Sequence, residues 1–127
     1  MPINKCDWIW QNGNMVPWDQ AQVHVLTHAL HYGSSVFECI RVYPTPDGLR
    51  VFRRTAHTQR MLESAKLHRI EIPYSAEEIN AACHEVVVRN GLNDGAYIRP
   101  IAFRGYGGIG LAPAADHPVD TVWGGGH

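Results

Sequence analysis

Residues 75–91 constrain the fold more tightly than any other stretch of this chain. Ser75 is followed three positions later by Glu78. In that pattern the hydroxyl caps an amide of the first helical turn and the carboxylate caps the serine amide in return. Ile79, Ala82, Cys83, Val86 and Val87 then recur at i, i+3, i+4, i+7 and i+8, which is one apolar stripe on a helix, and Asn90-Gly91 ends it. A helix with a single stripe must bury it against another layer. The next apolar segment, AYIRPIAFR at 96–104, reads as a strand. Pro100 cannot donate to a ladder, so this reading places it on an edge or at a bulge.

The rest of the chain supplies more strands and one more helix. WIWQNGNMVPW (8–18) reads as a hairpin, because Asn12-Gly13 tolerates the positive φ of a two-residue turn. QVHVL (22–26) reads as a short strand, and THALHYG (27–33) as a helical turn closed by Gly33. SVFECIRVY (35–43) is a strand with Val36, Glu38, Ile40 and Val42 on one face and Phe37, Cys39, Arg41 and Tyr43 on the other. Pro44 to Gly48 signals a turn, and LRVFR (49–53) returns as its partner. Residues 55–69 are helical with Thr55 as N-cap. Met61, Leu62 and Ala65 form that helix's apolar stripe, and His57, Arg60, Ser64 and Leu67 its adjoining face. Residues 105–127, rich in Gly and Pro, read as irregular until Thr121. This succession predicts the α/β class in its α+β form: a two-layer sandwich, with an antiparallel sheet packed against two helices.

Charge and composition exclude several classes of function. Eleven Lys+Arg against twelve Asp+Glu give no field that would favour nucleic acid or an anionic membrane. No apolar run approaches the ~20 residues of a membrane span. Cys6, Cys39 and Cys83 are odd in number and widely spaced, which fits a reducing cytoplasm better than a disulfide framework. Only Lys5 and Lys66 are available for chemistry that needs a lysine amine.

Most local motifs carry little chemistry. GYGGIG (105–110) runs into LAPAADHP, which cannot open the helix that a dinucleotide fingerprint requires. His28 and His31 lie one turn apart but have no third ligand at a recognised spacing, so no metal site is expected and packed or hydrogen-bonded histidines are the better reading. The most informative pattern is Tyr97, Arg99, Ile101 and Phe103 on one strand face. An arginine among apolar neighbours calls for an anion. A structural salt bridge, exposure at a strand edge and a bidentately bound carboxylate or phosphate all remain open. Arg60 offers the same choice between a solvated helix face and a ligand anion. Residue by residue, these patterns stop at a two-layer α/β domain.

At residues 28–41, HALHYGSSVFECIR, the chain resembles the branched-chain aminotransferases, fold-type IV enzymes that use pyridoxal phosphate. The likeness runs from WIWQNGNMVPW through HTQRMLESAK to AYIRPIAFRGYGGIGLAP, nearly the whole chain. D-amino-acid transaminases and aminodeoxychorismate lyases share parts of it. HALHYG, VFE and IR together with AYIRP fit the branched-chain members best.

The resemblance implies a small N-terminal domain at 1–121 and a truncated or irregular tail at 122–127. It implies that full-length relatives move an amino group between leucine, isoleucine or valine and 2-oxoglutarate, in a cleft shared with a large domain. The lysine that carries the cofactor would lie in that large domain. No catalytic residue is therefore expected here, and the 127-residue fragment alone is expected to be inactive and not to retain pyridoxal phosphate. A homo-oligomer is expected. The alternatives are a stand-alone dimerisation or ligand-binding module, or another fold-type IV reaction.

By the same resemblance, Arg60 in HTQRM matches the arginine that binds the cofactor phosphate. Phe37 in SVFE matches an aromatic of the side-chain pocket. Tyr97 and Arg99 in AYIRP match residues that recognise carboxylate, especially the distal carboxylate of glutamate. Tyr32 in LHYG, with Ile109 and Leu111 in GIGL, matches positions contributed across a dimer interface to the neighbouring pocket. Cys39 stands where the family usually has glycine.

Overall fold

A computed structural model describes residues 4–108, 110–111 and 117–126. Its seven strands are β1 (Trp8–Gln11), β2 (Asn14–Pro17), β3 (Ser35–Phe37), β4 (Ile40–Thr45), β5 (Gly48–Val51), β6 (Ala96–Arg104) and β7 (Val119–Gly126). Its helices are α1 (His28–Tyr32), α2 (Arg54–Leu67) and α3 (Ala76–Arg89), with a 3-10 turn at Trp18–Gln20. The strands form one antiparallel sheet in the order β2-β1-β7-β6-β4-β5, and β3 pairs with β6 in line with β4.

One face of the sheet packs on α2 and α3. Val36, Ile40, Val42, Ile98, Ala102 and Trp123 are buried there against Met61 and Ala65 of α2 and the whole expected stripe of α3, Ile79, Ala82, Cys83, Val86 and Val87. The rings of Trp10 and Trp123 meet edge to face with centroids 4.7 Å apart. Where α2 meets α3, the buried Thr58 hydroxyl donates to Asn80 Oδ1 at 2.6 Å. The capping box at Ser75 and Glu78 is formed in both directions, and Gly33 closes α1 in the left-handed conformation (φ 67°). The two-layer sandwich is therefore the observed architecture, with the short α1 added beside β6. No helix of the described residues is long and apolar enough to cross a membrane.

Several local expectations are corrected. Residues 22–26 form no strand; Val23 and Val25 are exposed, and β-prone residues without a neighbouring strand gain nothing from extension. Helix α2 starts at Arg54 rather than after a Thr55 cap, because left-handed Arg53 (φ 51°) turns the chain directly out of β5. The expected strand 35–43 is interrupted at Glu38-Cys39, yet its alternation of faces survives, because Phe37–Ile101 and Ile40–Ile98 keep one register. Pro100 lies neither on an edge nor at a bulge. It sits on central β6, and the Glu38 amide donates to its carbonyl at 3.0 Å where the ladder is interrupted, so the missing proline N–H deprives no regular partner.

The expected irregular tail is corrected most clearly. Val119–Gly126 form β7, paired with β6 from Arg104–Val119 to Tyr97–Gly126. Backbone pairing with a long neighbour stabilises the strand where the glycine run offers no side-chain signal. Gly125 is also required for packing, since a Cβ there would stand 2.9 Å from Val86 Cγ1.

Candidate functional site

The face of the sheet turned away from α2 and α3 carries Phe37, Cys39, Arg41 and Tyr43, all exposed, beside half-buried Tyr97 and Ile101. This alternation follows from the two-residue period of a strand. Arg99 shares that face, and its guanidinium carbon lies 4.4 Å from the centre of the Phe37 ring. None of the ion pairs among the described residues involves Arg99. The salt-bridge alternative therefore falls away, and a cation resting on an aromatic face takes its place. Across the ladder Arg99 faces Gly124, which puts no side chain beside it.

Arg60 is held on the other side of the same strand segment. Glu38, only 3% exposed, shares the helix-facing row with Val36 and Ile40. Arg60 Nε–H donates to Glu38 Oε1 and its NH2 group to Oε2, both at 2.6 Å. His57, one turn earlier on α2, donates from Nδ1 to Oε2 at 2.9 Å. The Arg60 hydrogen bond holds the Glu38 carboxyl below the usual carboxylate range; burial works against it and His57 reinforces it. The fork uses two of the five guanidinium N–H groups, and the Arg60 side chain remains 67% exposed. Three donors are left to face outward.

A third group is built from α1 and the segment after β6. Buried His28 bridges Ser34 Oγ (2.7 Å) and the Gly110 carbonyl (2.6 Å). That carbonyl can only accept, so Nε2 carries the proton. The Tyr32 ring lies 4.6 Å from His28, and His117 meets His28 edge-on at 5.1 Å while donating to the Gly105 carbonyl at 2.8 Å. Tyr32 and the exposed Leu111 are thus carried by two segments that His28 ties together. Ile109 lies outside the described residues. His31 bonds the Val25 carbonyl instead of joining His28, and no group of three or more potential metal ligands occurs among the described residues.

The structure therefore brings Phe37, Tyr97 and Arg99 onto one face and ties Arg60 to the same segment through Glu38. It places Tyr32 and Leu111 in a separate group. Sequence reading missed Glu38, His57 and His117. Glu38 had a visible signal, an acid in an apolar row, but its partner Arg60 lies 22 positions away, beyond any local spacing. Lys5 pairs with Asp19, and Lys66 is exposed near the end of α2.

The family model for amino-transferase class IV matches residues 35–122. The branched-chain-amino-acid aminotransferase of Escherichia coli K12 is 47% identical over 122 residues, covering 96% of this chain and 39% of that protein. A crystal structure of the E. coli enzyme superposes with a TM-score of 0.92 at 45% identity, covering 95% of this chain and 40% of that one. The branched-chain aminotransferase of the archaeon Thermoproteus uzoniensis, solved with norvaline, gives a TM-score of 0.88 at 36% identity, with the same coverage. The chain spans about two fifths of the length of these relatives.

Proposed function

The chain belongs to the amino-transferase class IV family, and from that premise we propose that it is the small N-terminal domain of a branched-chain aminotransferase. The reaction is transfer of an amino group between leucine, isoleucine or valine and 2-oxoglutarate, with pyridoxal phosphate as cofactor and the reacting lysine supplied from outside these 127 residues. One observation carries the reading. The open face holds an apolar wall, Phe37, in contact with a guanidinium, Arg99, that pairs with no carboxylate among the described residues. A site that alternates between branched aliphatic side chains and glutamate needs both.

The residues present fit the cofactor's phosphate. Arg60 offers a fixed guanidinium with outward donors, the arrangement that recognises a phosphate bidentately. When bound, pyridoxal phosphate supplies the electron sink for a carbanion at the amino-acid α-carbon. This chain's part is binding and orientation. Arg60 holds the phosphate, and Phe37 and Tyr97 border the side-chain pocket. Arg99 rests on Phe37 when the substrate is apolar and turns to the distal carboxylate when it is glutamate. The Phe37 contact stabilises the resting position by only about 0.5–1 kcal/mol at such an exposed site, so a carboxylate displaces it readily. Tyr32, Ile109 and Leu111 complete the pocket of a neighbouring subunit in a homo-oligomer. Cys39, exposed next to Phe37, adds a side chain to the open face beside the pocket that Phe37 borders. Cytoplasmic location fits three cysteines that form no disulfide.

The test is transamination by the intact protein. L-Leucine with 2-oxoglutarate is expected to be converted and D-alanine not. Activity confined to D-alanine would replace this reading with another class IV reaction.

A further inference from the structure

We infer that Glu38 is a positioning residue for cofactor binding: from the two-residue interruption between β3 and β4 it aims the Arg60 guanidinium at the phosphate. The inference rests on the proposed role of Arg60. It is carried by the geometry of a carboxylate 3% exposed with both oxygens engaged, two by the arginine fork at 2.6 Å and one also by His57 at 2.9 Å.

An arginine on an exposed helix face has several rotatable bonds and loses their rotamer freedom on binding an anion. Here that loss is already met in the folded chain. The fork fixes the guanidinium plane and commits its Nε edge inward, which leaves the other edge to present to a ligand. Glu38 itself cannot swing away. Its backbone N–H is bonded to the Pro100 carbonyl at 3.0 Å, and its neighbours in the row, Val36 and Ile40, are in the core. His57 adds a second hydrogen bond to Oε2, the oxygen that already accepts from the Arg60 NH2 group.

The sign of the effect separates positioning from simple electrostatics. A buried carboxylate next to a phosphate site repels the phosphate. If charge alone mattered, Glu38→Gln would tighten binding. If Glu38 positions Arg60, the same change weakens binding, because an amide cannot accept the fork on both atoms and its NH2 group faces donors.

The experiment compares the affinities of the intact, cofactor-free protein for pyridoxal phosphate and for pyridoxal, measured by absorbance titration, with melting of the cofactor-free form recorded alongside. The variants are Arg60→Ala, Glu38→Gln and Glu38→Asp. Arg60→Ala is expected to erase most of the preference for the phosphorylated ligand. Glu38→Gln is expected to weaken pyridoxal phosphate by about three- to tenfold, the range for releasing one immobilised side chain, and to leave pyridoxal unchanged. Glu38→Asp keeps the charge on a shorter arm and should fall between, which decides the matter if Glu38→Gln does not fold. Tighter or unchanged pyridoxal phosphate binding in Glu38→Gln, with Arg60→Ala still impaired, overturns the positioning role and leaves Arg60 as the anchor. Equal weakening of both ligands, or a lowered melting temperature alone, makes Glu38 a structural residue and also overturns it. An unchanged preference in Arg60→Ala removes the anchor and the inference with it.

Discussion

Adjacent glycines on β7 give a test of the sheet-on-helix packing in which the backbone contribution cancels. Gly124 and Gly125 point to opposite faces. A Cβ at Gly124 meets nothing within 4 Å, whereas one at Gly125 stands 2.9 Å from Val86 Cγ1, 3.3 Å from Leu92 Cδ1 and 3.4 Å from the Tyr97 carbonyl oxygen. Leu92 can shift by a few tenths of an ångström. Val86 cannot easily do so, because a β-branched side chain on a helix has one strongly preferred rotamer, and the Tyr97 carbonyl belongs to the ladder. Either Gly→Ala change gains about 0.5–1 kcal/mol by restricting the unfolded chain. Only Gly125→Ala also overpacks the core, at about 1–3 kcal/mol.

The difference between the two variants is therefore the overpacking cost itself, about 1–3 kcal/mol, or roughly 3–10 °C in melting temperature for a chain of this size. Urea unfolding followed by circular dichroism and tryptophan fluorescence measures it, and an unchanged slope shows that the denatured state is not responsible. Gly124→Ala should match or exceed the parent, and Gly125→Ala should fall below it. Coincident midpoints for the two variants would mean that α3 does not lie against β7.

Three further outcomes follow from the side chains. Cys83 is fully buried and burial pushes its thiol up to about 11, while Cys39 is exposed on the open face; iodoacetamide at pH 8 should label Cys39 within minutes and Cys83 only on unfolding, as read by peptide mass spectrometry, and equal rates would contradict the packing. The Glu38 carboxyl is held low by Arg60, so its ionised form stabilises the native state fully above the ordinary carboxylate value of about 4.3 and loses that effect as pH falls through its lower native value. The stability gap between parent and Glu38→Gln should accordingly be open at pH 7 and close at low acid pH, and a gap independent of pH would show that the ion pair contributes nothing. In the intact protein, Arg99→Ala should lower kcat/KM for glutamate by about ten- to a hundredfold, the worth of a charged hydrogen-bonded contact, with much less effect on leucine; equal losses for both substrates would remove its distal-carboxylate role.

The elements legible in the sequence were those whose side chains alone specify them. Helix α3 carries its cap, its stripe and its stop within one window, and every stripe residue is buried. Strand β6 was legible to its end residues because Tyr97, Ile98, Ile101 and Phe103 recur through a short apolar run. The failures share a different cause. Strand β7 ends in glycines with no propensity of their own, and the backbone of β6 is what extends them. Residues 22–26 have strand-like side chains but no strand to pair with. Pairing partners, unlike side-chain periods, are not written locally. The same holds for the candidate site. The face shared by Phe37, Tyr97 and Arg99 follows from counting by twos, but the Glu38–Arg60 pair needed α2 folded back over the sheet.

On the proposed function, that pair would let a small sheet serve two recognition tasks that conflict on a single surface. A strand sends consecutive side chains to opposite faces. Phe37 therefore meets Arg99 on the open face, while Glu38, the next residue, meets Arg60 and His57 on the helix side. A phosphate anchor needs a fixed guanidinium backed by a buried carboxylate. A pocket that accepts both leucine and glutamate needs the reverse, a guanidinium with no carboxylate near it. Placing the two arginines across one strand keeps Glu38 from neutralising Arg99, and both remain fixed relative to the same two backbone positions. A charge-preserving test follows: Phe37→Leu removes the ring on which Arg99 rests but leaves Glu38 in place. It should shift the glutamate-to-leucine ratio of kcat/KM without changing pyridoxal phosphate affinity. Simultaneous loss of cofactor affinity would mean that the two faces are not separated by the strand in the way the geometry requires.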